Sequence, residues 1–445
     1  MDSLRLYILT FNCARNVIDV DHFSQHFFDA LPLGHDSTSS APPDILVLCL
    51  QEIAPIAYAF LGGSFLTPYF VAFAQMVDRA AASRWGSNYV NMVTDNSGMT
   101  GLMVFARTDI ADQISSIDVA RVGFGVQEVG NKGAVGARLS YTSPESPQVG
   151  ADLTFIAAHL APMEYAVAQR NADWRSIVER LVFSDSEVAE TGIMQEEDDS
   201  ESAALLANSA SRPPPEYQGI FTPTSYLFLG GDLNYRTSDT SPKKEDSLSF
   251  PRATADPSSP LHHSYLLGRD QLKREMEQSQ CFQGLSEAPI TFPPTYKYTE
   301  EAREAARDIS SGNKAEEWKW TRSRWPSWCD RVLYLTHPPA LGEQAKVNVL
   351  SYNSLPVFPT SDHRAVGFAA CVPISRVEPT TDGQFVIPFP IDPEWERKRA
   401  TARRKEFLVG CLVYLAWTWE GNLLVGASTI GAVGIWFVIR SFFNA

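Results

Sequence analysis

The chain has 445 residues but only six cysteines, and no two of them form a Cys-x-x-Cys pair. Cys13, Cys49, Cys329 and Cys371 stand in apolar or strand-like surroundings. They read as reduced, buried thiols of a cytosolic domain rather than a disulfide scaffold or a zinc site. Positive charge is short: 37 Lys and Arg face 52 Asp and Glu, for a net charge of −15. Duplex binding rests on clustered cations at phosphates, so a general nucleic-acid-binding role is disfavoured. A small phosphorylated substrate needs only a few local cations and stays open. The opening stretch MDSLRLYILTFN lacks both a basic segment and a long apolar run, and does not read as a signal peptide. There is no P-loop, and no Cys-x5-Arg loop to supply a phosphocysteine nucleophile.

What is present is ordinary in bulk, 44% hydrophobic and 20% charged, enough for a sizeable core. Short apolar runs at 4–12, 44–50, 101–107, 133–141, 153–160, 225–235, 331–335 and 365–371 read as strands. Several are apolar on both faces, as in sheets covered from both sides. Helical segments are expected over 55–85, 163–183 and 266–280. This pattern predicts an α/β fold: a four-layered sandwich of two packed sheets with helices outside. The acidic, then Ser/Pro-rich stretch 185–217 and the Ser/Pro/Lys-rich stretch 237–262 read as disordered insertions.

The tail differs in kind. ERKRATARRK (396–405) is basic, residues 407–419 are apolar, and Leu423 to Ile439 is an uncharged run at the short end of a membrane span. A single span is expected from Leu423, with the first apolar run at the interface and Trp417 and Trp419 at headgroup level. The alternative is a hairpin around Glu420. The basic cluster marks the cytosolic side. The chain thus divides into a main folded domain (1–373), a Pro-rich linker (374–395), a basic juxtamembrane segment (396–406) and a C-terminal anchor (407–445).

Apolar strands repeatedly stop at polar residues: at Asn12, at Gln51 and Glu52, at His159, and at Asp232 and Asn234. Asp362 and His363 stand just before another strand, and SWCDRVLYL (327–335) opens one with Asp330 and Arg331. One such residue is usually a satisfied structural group. Six sites in one chain suggest strand ends converging on a crevice. Carboxylates, amides and histidines fit metal-assisted phosphate chemistry. A hard cation such as Mg²⁺ takes one or two carboxylates and keeps several waters, and Glu52 is the best candidate ligand. Water then attacks phosphorus, with one carboxylate as base and several donors on the oxygens.

The motifs TFN (10–12), LQEI (50–53), GNKGAV (130–135), HLAP (159–162), RNAD (170–173), GDLNYR (231–236), FPPTYKY (292–298), RWPSWCDRVL (324–333) and SDHRAV (361–366) occur in one order. The chain resembles the inositol polyphosphate 5-phosphatases, within the DNase I-like metal phosphoesterases, and among them the simply built fungal enzymes with C-terminal membrane tails. Phe11 stands where tryptophan is usual, and Ala134 replaces a second glycine.

The resemblance implies Mg²⁺ on Glu52, with Asn12 nearby and Asp362 acting through water. It implies Asp232 as proton acceptor, Asn234 orienting the water, and His159 and His363 on the scissile phosphate. Asp330 would hold His363 by a hydrogen bond. Tyr296 and Lys297 would contact the neighbouring phosphate, with Lys132, Arg170 and Asn171 as further contacts. Arg331 would face anionic substrate or pair locally. The expected activity is release of the 5-phosphate of phosphatidylinositol 4,5-bisphosphate by a monomeric catalytic domain. That domain would be anchored to a thin membrane such as the endoplasmic reticulum and face the cytosol. A nuclease of the same fold and a catalytically inactive phosphoinositide-binding scaffold are the alternatives.

Overall fold

The computed structural model describes residues 3–32, 41–183, 218–253, 255–307, 318–376 and 387–443. Two sheets pack face to face. The first runs β11 (Asn348–Val357), β12 (Arg364–Pro373), β1 (Ser3–Asn12), β2 (Ile45–Gln51), β4 (Thr100–Arg107), β3 (Tyr89–Ser97). The second runs β5 (Ile114–Gly123), β6 (Gly133–Ser143), β7 (Ser146–His159), β8 (Ser225–Asp232), β10 (Asp330–Leu335), β9 (Leu285–Glu287), with β13 (Ser375–Arg376) beside β7. Pairings are antiparallel except β1 with β2 and β7 with β8.

Strand periodicity explains the continuous apolar runs. Side chains alternate across a strand, so Leu4, Leu6 and Ile8 of β1 enter the core between the sheets, while Tyr7, Leu9 and Phe11 enter a second core under the outer helices. Likewise Leu153, Phe155 and Ala157 of β7 face the first sheet, and Ile156 and Ala158 face the helix Val167–Arg180. Both faces of the central strands are therefore dry, and the sandwich has the expected layers.

Boundaries differ from expectation where a local signal intervenes. The helix expected over 55–85 is broken into Ile56–Leu61 and Thr67–Trp85. Gly62 and Gly63, at φ 72° and 57°, turn the chain between them, a conformation that favours glycine. The segment over 266–280 is likewise two helices, His263–Leu267 and Gln271–Glu277. The second restarts where Asp270 Oδ1 accepts the Lys273 N–H at 2.9 Å, a standard N-cap.

The stretch 237–262 is expected to be disordered, but part of it packs on the domain. Phe250 is buried with its ring 5.4 Å from that of Trp325, and the Pro251 carbonyl accepts Trp320 Nε1–H at 2.8 Å. One buried aromatic fixes a segment whose bulk composition is that of a loop. The acidic insertion 185–217 lies outside the described residues.

The basic cluster does not form a separate segment. It is the first half of one helix, Trp395–Trp417, that also contains the first apolar run and packs on Ile56–Leu61. A second helix, Trp419–Phe443, follows Thr418; it is long and apolar enough to cross a membrane.

Candidate active site

Sheet register builds the site. Gly133 is paired with His159 across β6 and β7, His159 with Asp232 across β7 and β8, and Asp232 with Asp330 across β8 and β10. Four strands thus end in one row, which carries His159, Asp232 and Asp330. The first sheet brings Asn12 opposite Gln51 at the ends of β1 and β2. Its amide crosses between the sheets: Asn12 Nδ2 donates to Asp232 Oδ2 at 3.0 Å. The Asn12 carbonyl accepts the Ser361 hydroxyl at 2.6 Å, and that same hydroxyl accepts the His363 N–H at 3.1 Å.

Two charge centres result. His363 Nδ1 lies 2.9 Å from Asp330 Oδ2, and both groups are buried. Burial opposes the imidazolium, but Asp330, Asp232 and Asp362 overcome it and raise His363 to about 9. Burial pushes Asp330 upward too, so the pair shares one proton. The pull of the other two carboxylates places that proton on the ring. At neutral pH His363 is a cation, with Nδ1 committed to Asp330.

His159 is the opposite case. Burial and the Lys132 ammonium hold it below its ordinary value, so it is a neutral imidazole. Its Nε2 lies 3.3 Å from Asp232 Oδ2, and Lys132 Nζ touches the same ring. Burial alone would raise Asp232, but His159, His363 and Lys132 hold it well below the usual carboxylate range. It stays ionised.

Glu52 follows β2 at φ 46°, a left-handed conformation uncommon for glutamate. Burial is again outweighed, here by His159, Lys132 and Arg15, and the carboxyl is held below its ordinary value. Arg15 Nε donates to Glu52 Oε2 at 2.8 Å. The oxygens of Glu52, Asn12 and Asp362 are hard donors on neighbouring strand ends, and that set suits a hard divalent cation. Asp232, Asp330 and His363 also lie close enough to hold an ion. His363 Nδ1, however, is committed to Asp330, so that trio is an acid–base network before it is a metal cage.

Asn234 sits at φ 58°. Its Nδ2 donates to the Leu160 carbonyl at 3.1 Å and its backbone N–H to Asp232 Oδ1 at 3.1 Å. Its Oδ1 is taken by Arg236, whose guanidinium stacks 4.4 Å from the Tyr296 ring. The Tyr296 ring in turn lies tilted against His363, centroids 4.5 Å apart. Lys297 Nζ is bonded to the Asp362 carboxylate, tying the expected phosphate contact to the expected metal ligand.

Three expected substrate contacts are placed elsewhere. Arg170 is buried and donates to the carbonyls of Ala161 at 3.2 Å and Met163 at 2.7 Å and to Gln271 Oε1 at 2.7 Å. Its two terminal nitrogens hold the loop after His159 and Gln271, while its buried Nε has no hydrogen-bond partner among the described residues. Asn171 bridges Glu275 and Tyr235 at 2.8 and 2.7 Å. Arg331 pairs locally: its guanidinium reaches Asp270 at 3.0 Å and Glu287 at 2.6 Å. Strand alternation explains this. Asp330 points toward the site and Arg331 away from it.

Sequence reasoning missed Arg15, Arg236, Ser361 and Thr295. The Thr295 hydroxyl accepts the N–H groups of Cys329 and Asp330 at 3.1 and 3.3 Å. Arg236 stands within GDLNYR, Ser361 within SDHRAV and Thr295 within FPPTYKY, so motif membership could have found all three. Arg15 has no motif to mark it.

The described fold is also that of the inositol polyphosphate 5-phosphatase domain of SPsynaptojanin, solved with inositol (1,4)-bisphosphate and a calcium ion. That match has a TM-score of 0.56 at 23% identity and covers 91% of this chain and 90% of that one. Residues 9–369 match the Endonuclease/Exonuclease/phosphatase family 2, and the chain belongs to that family.

Similar curated proteins include the type I inositol polyphosphate 5-phosphatase 13 of Arabidopsis thaliana, 28% identical over 345 residues, which are 72% of this chain and 27% of that protein. The inositol-1,4,5-trisphosphate 5-phosphatase 1 of Schizosaccharomyces pombe is 27% identical over 63% of this chain and 20% of its own length. The phosphatidylinositol 3,4,5-trisphosphate 5-phosphatase 1 of Xenopus laevis is 29% identical over 60% of this chain and 21% of its own. The chain spans about a quarter of the length of the first three curated relatives it matches, 27%, 25% and 24%.

Proposed function

We propose that this chain is a Mg²⁺-dependent phosphatase that converts phosphatidylinositol 4,5-bisphosphate to phosphatidylinositol 4-phosphate at a membrane surface. The reading is carried by the row of His159, Asp232 and Asp330 with the cationic His363. An ionised carboxylate is flanked there by one neutral and one charged imidazole. The names of the relatives, all 5-phosphatases of inositol phosphates or phosphoinositides, support the substrate class.

A magnesium ion on Glu52, with Asn12 beside it and Asp362 acting through water, would supply charge stabilisation at the phosphoryl oxygens. Asp232 takes the proton of the attacking water as its oxygen bonds to phosphorus, and the bond to the inositol 5-oxygen breaks in line. Asn12 holds Asp232 in place, and Asn234, fixed by Arg236, orients the water. The His363 cation and His159 meet the phosphoryl oxygens. Lys297 and Tyr296 contact the adjacent phosphate, with Lys132 near the scissile one. Lysine acts there as a point charge.

The Trp419–Phe443 helix is the proposed anchor, and the short uncharged run within it suits a thin membrane such as the endoplasmic reticulum, with the domain in the cytosol. Anchoring keeps the site on the surface that holds its substrate.

The test is phosphate release by the full chain in lipid vesicles containing phosphatidylinositol 4,5-bisphosphate, with Mg²⁺ and then with EDTA. Soluble inositol 1,4,5-trisphosphate and DNA serve as comparisons. Mg²⁺-dependent formation of phosphatidylinositol 4-phosphate is expected. No release from either inositol substrate would transfer the reading to a phosphoinositide-binding scaffold, and DNA cleavage would transfer it to a nuclease.

A further inference from the structure

The helix that leads to the proposed anchor is attached to the catalytic domain at a point close to the chemistry. Gly410 of the helix Trp395–Trp417 lies against Ile56–Leu61 so closely that an added Cβ would stand 3.0 Å from Phe60 Cβ and 3.2 Å from the Leu61 nitrogen. Arg403 Nη1 donates to the Phe60 carbonyl at 2.8 Å. One turn earlier than Gly410, Glu406 turns inward. Its side chain is 8% exposed, and its Oε1 accepts the Gly130 N–H at 2.7 Å.

Gly130 belongs to the loop between β5 and β6. That loop has little regular structure of its own, and Gln127 and Glu128 stand at φ 56° and 69°. It is held at a few points. The Gly125 N–H donates to the Lys132 carbonyl at 3.1 Å, the Met99 N–H to the Gly130 carbonyl at 2.9 Å, and Arg180 to Glu128 at 2.7 Å. Two residues after Gly130, Lys132 reaches the His159 ring with its ammonium, and Asp232 and Glu52 are the carboxylates that favour its charge. The Gly130 peptide is therefore fixed on its carbonyl side by Met99 and on its N–H side by a carboxylate from the anchor helix. A buried carboxylate accepting a backbone N–H makes a charge-assisted bond, and losing it strands a buried donor.

We propose that Glu406 is a positioning residue for the reaction: through Gly130 it sets the loop that presents Lys132 to the phosphate, and so makes the anchor-bearing helix part of the catalytic unit. The proposal rests on the reading of this site as a phosphatase. It extends the functional unit from residue 369, where the family match ends, to Glu406.

The experiment uses the full chain in detergent micelles with soluble inositol 1,4,5-trisphosphate, so that membrane location drops out. Glu406→Ala should lower kcat/KM about tenfold, whereas Glu406→Gln, whose amide oxygen can accept the same bond, should stay within about threefold of the unaltered chain. In a Lys132→Ala background, Glu406→Ala should change kcat/KM by less than about twofold, because residues acting through one another are not additive. Equal losses in both backgrounds would overturn the proposal and leave Glu406 a merely stabilising residue.

Hydrogen exchange across 124–134 gives a readout that needs no turnover. Faster exchange in Glu406→Ala, but not in Glu406→Gln, is expected. Unchanged exchange in Glu406→Ala would overturn the proposal even in a chain that hydrolyses nothing, while inactivity of the unaltered chain on both inositol 1,4,5-trisphosphate and phosphatidylinositol 4,5-bisphosphate would instead overturn the phosphatase reading.

Discussion

Asp330 Oδ2 and His363 Nδ1 are 2.9 Å apart, buried, and brought together from the starts of two strands in different sheets. That bond does two things. It commits Nδ1 to Asp330, leaving Nε2 as the ring's other donor, and it holds the imidazole charged where burial alone would discharge it. The backbone prepares it: Thr295 Oγ1 accepts the Asp330 N–H, and Ser361 Oγ accepts the His363 N–H.

The pH dependence follows from the sign. His363 is raised from its ordinary 6.5 to about 9. A raised histidine contributes stability fully below its unfolded value, and that contribution is lost as pH rises through the folded one. The chain in EDTA should therefore lose melting temperature between pH 7 and 10. Asp330→Asn should flatten that decline and cost roughly 3 kcal/mol at neutral pH. In turnover assays the alkaline limb near pH 9 should move downward in the variant. An unmoved limb would detach His363 from the chemistry.

Asp232 is the proposed proton acceptor, and its neighbours keep it ionised. Asp232→Ala should lower kcat by about 10³-fold or more while the circular dichroism of the chain is preserved. Asn12 and His159 lose a partner but keep others. Normal turnover in a folded Asp232→Ala chain would remove the assigned mechanism.

Arg331 tests the structural assignment. It is buried between Asp270 and Glu287, so Arg331→Ala leaves two carboxylates without their cation. A loss of about 3–5 kcal/mol in urea unfolding is expected, with KM for the substrate unchanged in whatever folds. A raised KM with unaltered stability would return Arg331 to the substrate.

Lys297 is the reverse. Its side chain is 34% exposed and bonded to Asp362. Lys297→Ala should raise KM for phosphatidylinositol 4,5-bisphosphate about tenfold, with little change in melting temperature. Phosphatidylinositol 5-phosphate lacks the adjacent phosphate and should lose much less. Equal effects on the two lipids would separate Lys297 from that phosphate.

Strands buried on both faces were legible because burial leaves a continuous apolar run, as in ILVLCLQ of β2. Strands β3, β5 and β11 were not. YVNMVTDNS, ISSIDVARVG and NVLSYNSLPV mix polar and apolar residues because β3, β5 and β11 end their sheets and meet solvent along one side. Site residues at strand ends could be read because polarity is conspicuous there. Orientation could not: Arg170 and Arg331 have the chemistry of phosphate binders, and only the fold turns them toward Gln271 and Asp270. The packing of Trp395–Trp417 was hidden for a related reason. A basic run followed by an apolar one reads as a juxtamembrane boundary. The contacts that contradict this belong to single residues, Arg403, Glu406 and Gly410, spaced one turn apart on one face.

That packing separates two truncations which the sequence alone would treat as one. Ending the chain after Thr418 removes the only helix among the described residues that is both long and apolar enough to cross a membrane but keeps Glu406 and Gly410. Ending it at 395 removes both, and uncovers the apolar side of Ile56–Leu61 and the buried Gly130 N–H. Residues 1–418 should therefore leave the membrane fraction yet melt within a few degrees of the full chain in detergent. Residues 1–395 should melt lower by roughly 5 °C or more, since removing a packed helix costs a domain more than about 1–2 kcal/mol. Differential scanning fluorimetry and sedimentation of lysates check both. Equal melting of the two truncations would mean that the helix adds nothing to the fold. Residues 1–418 remaining with membranes would mean that the anchor lies elsewhere in the chain.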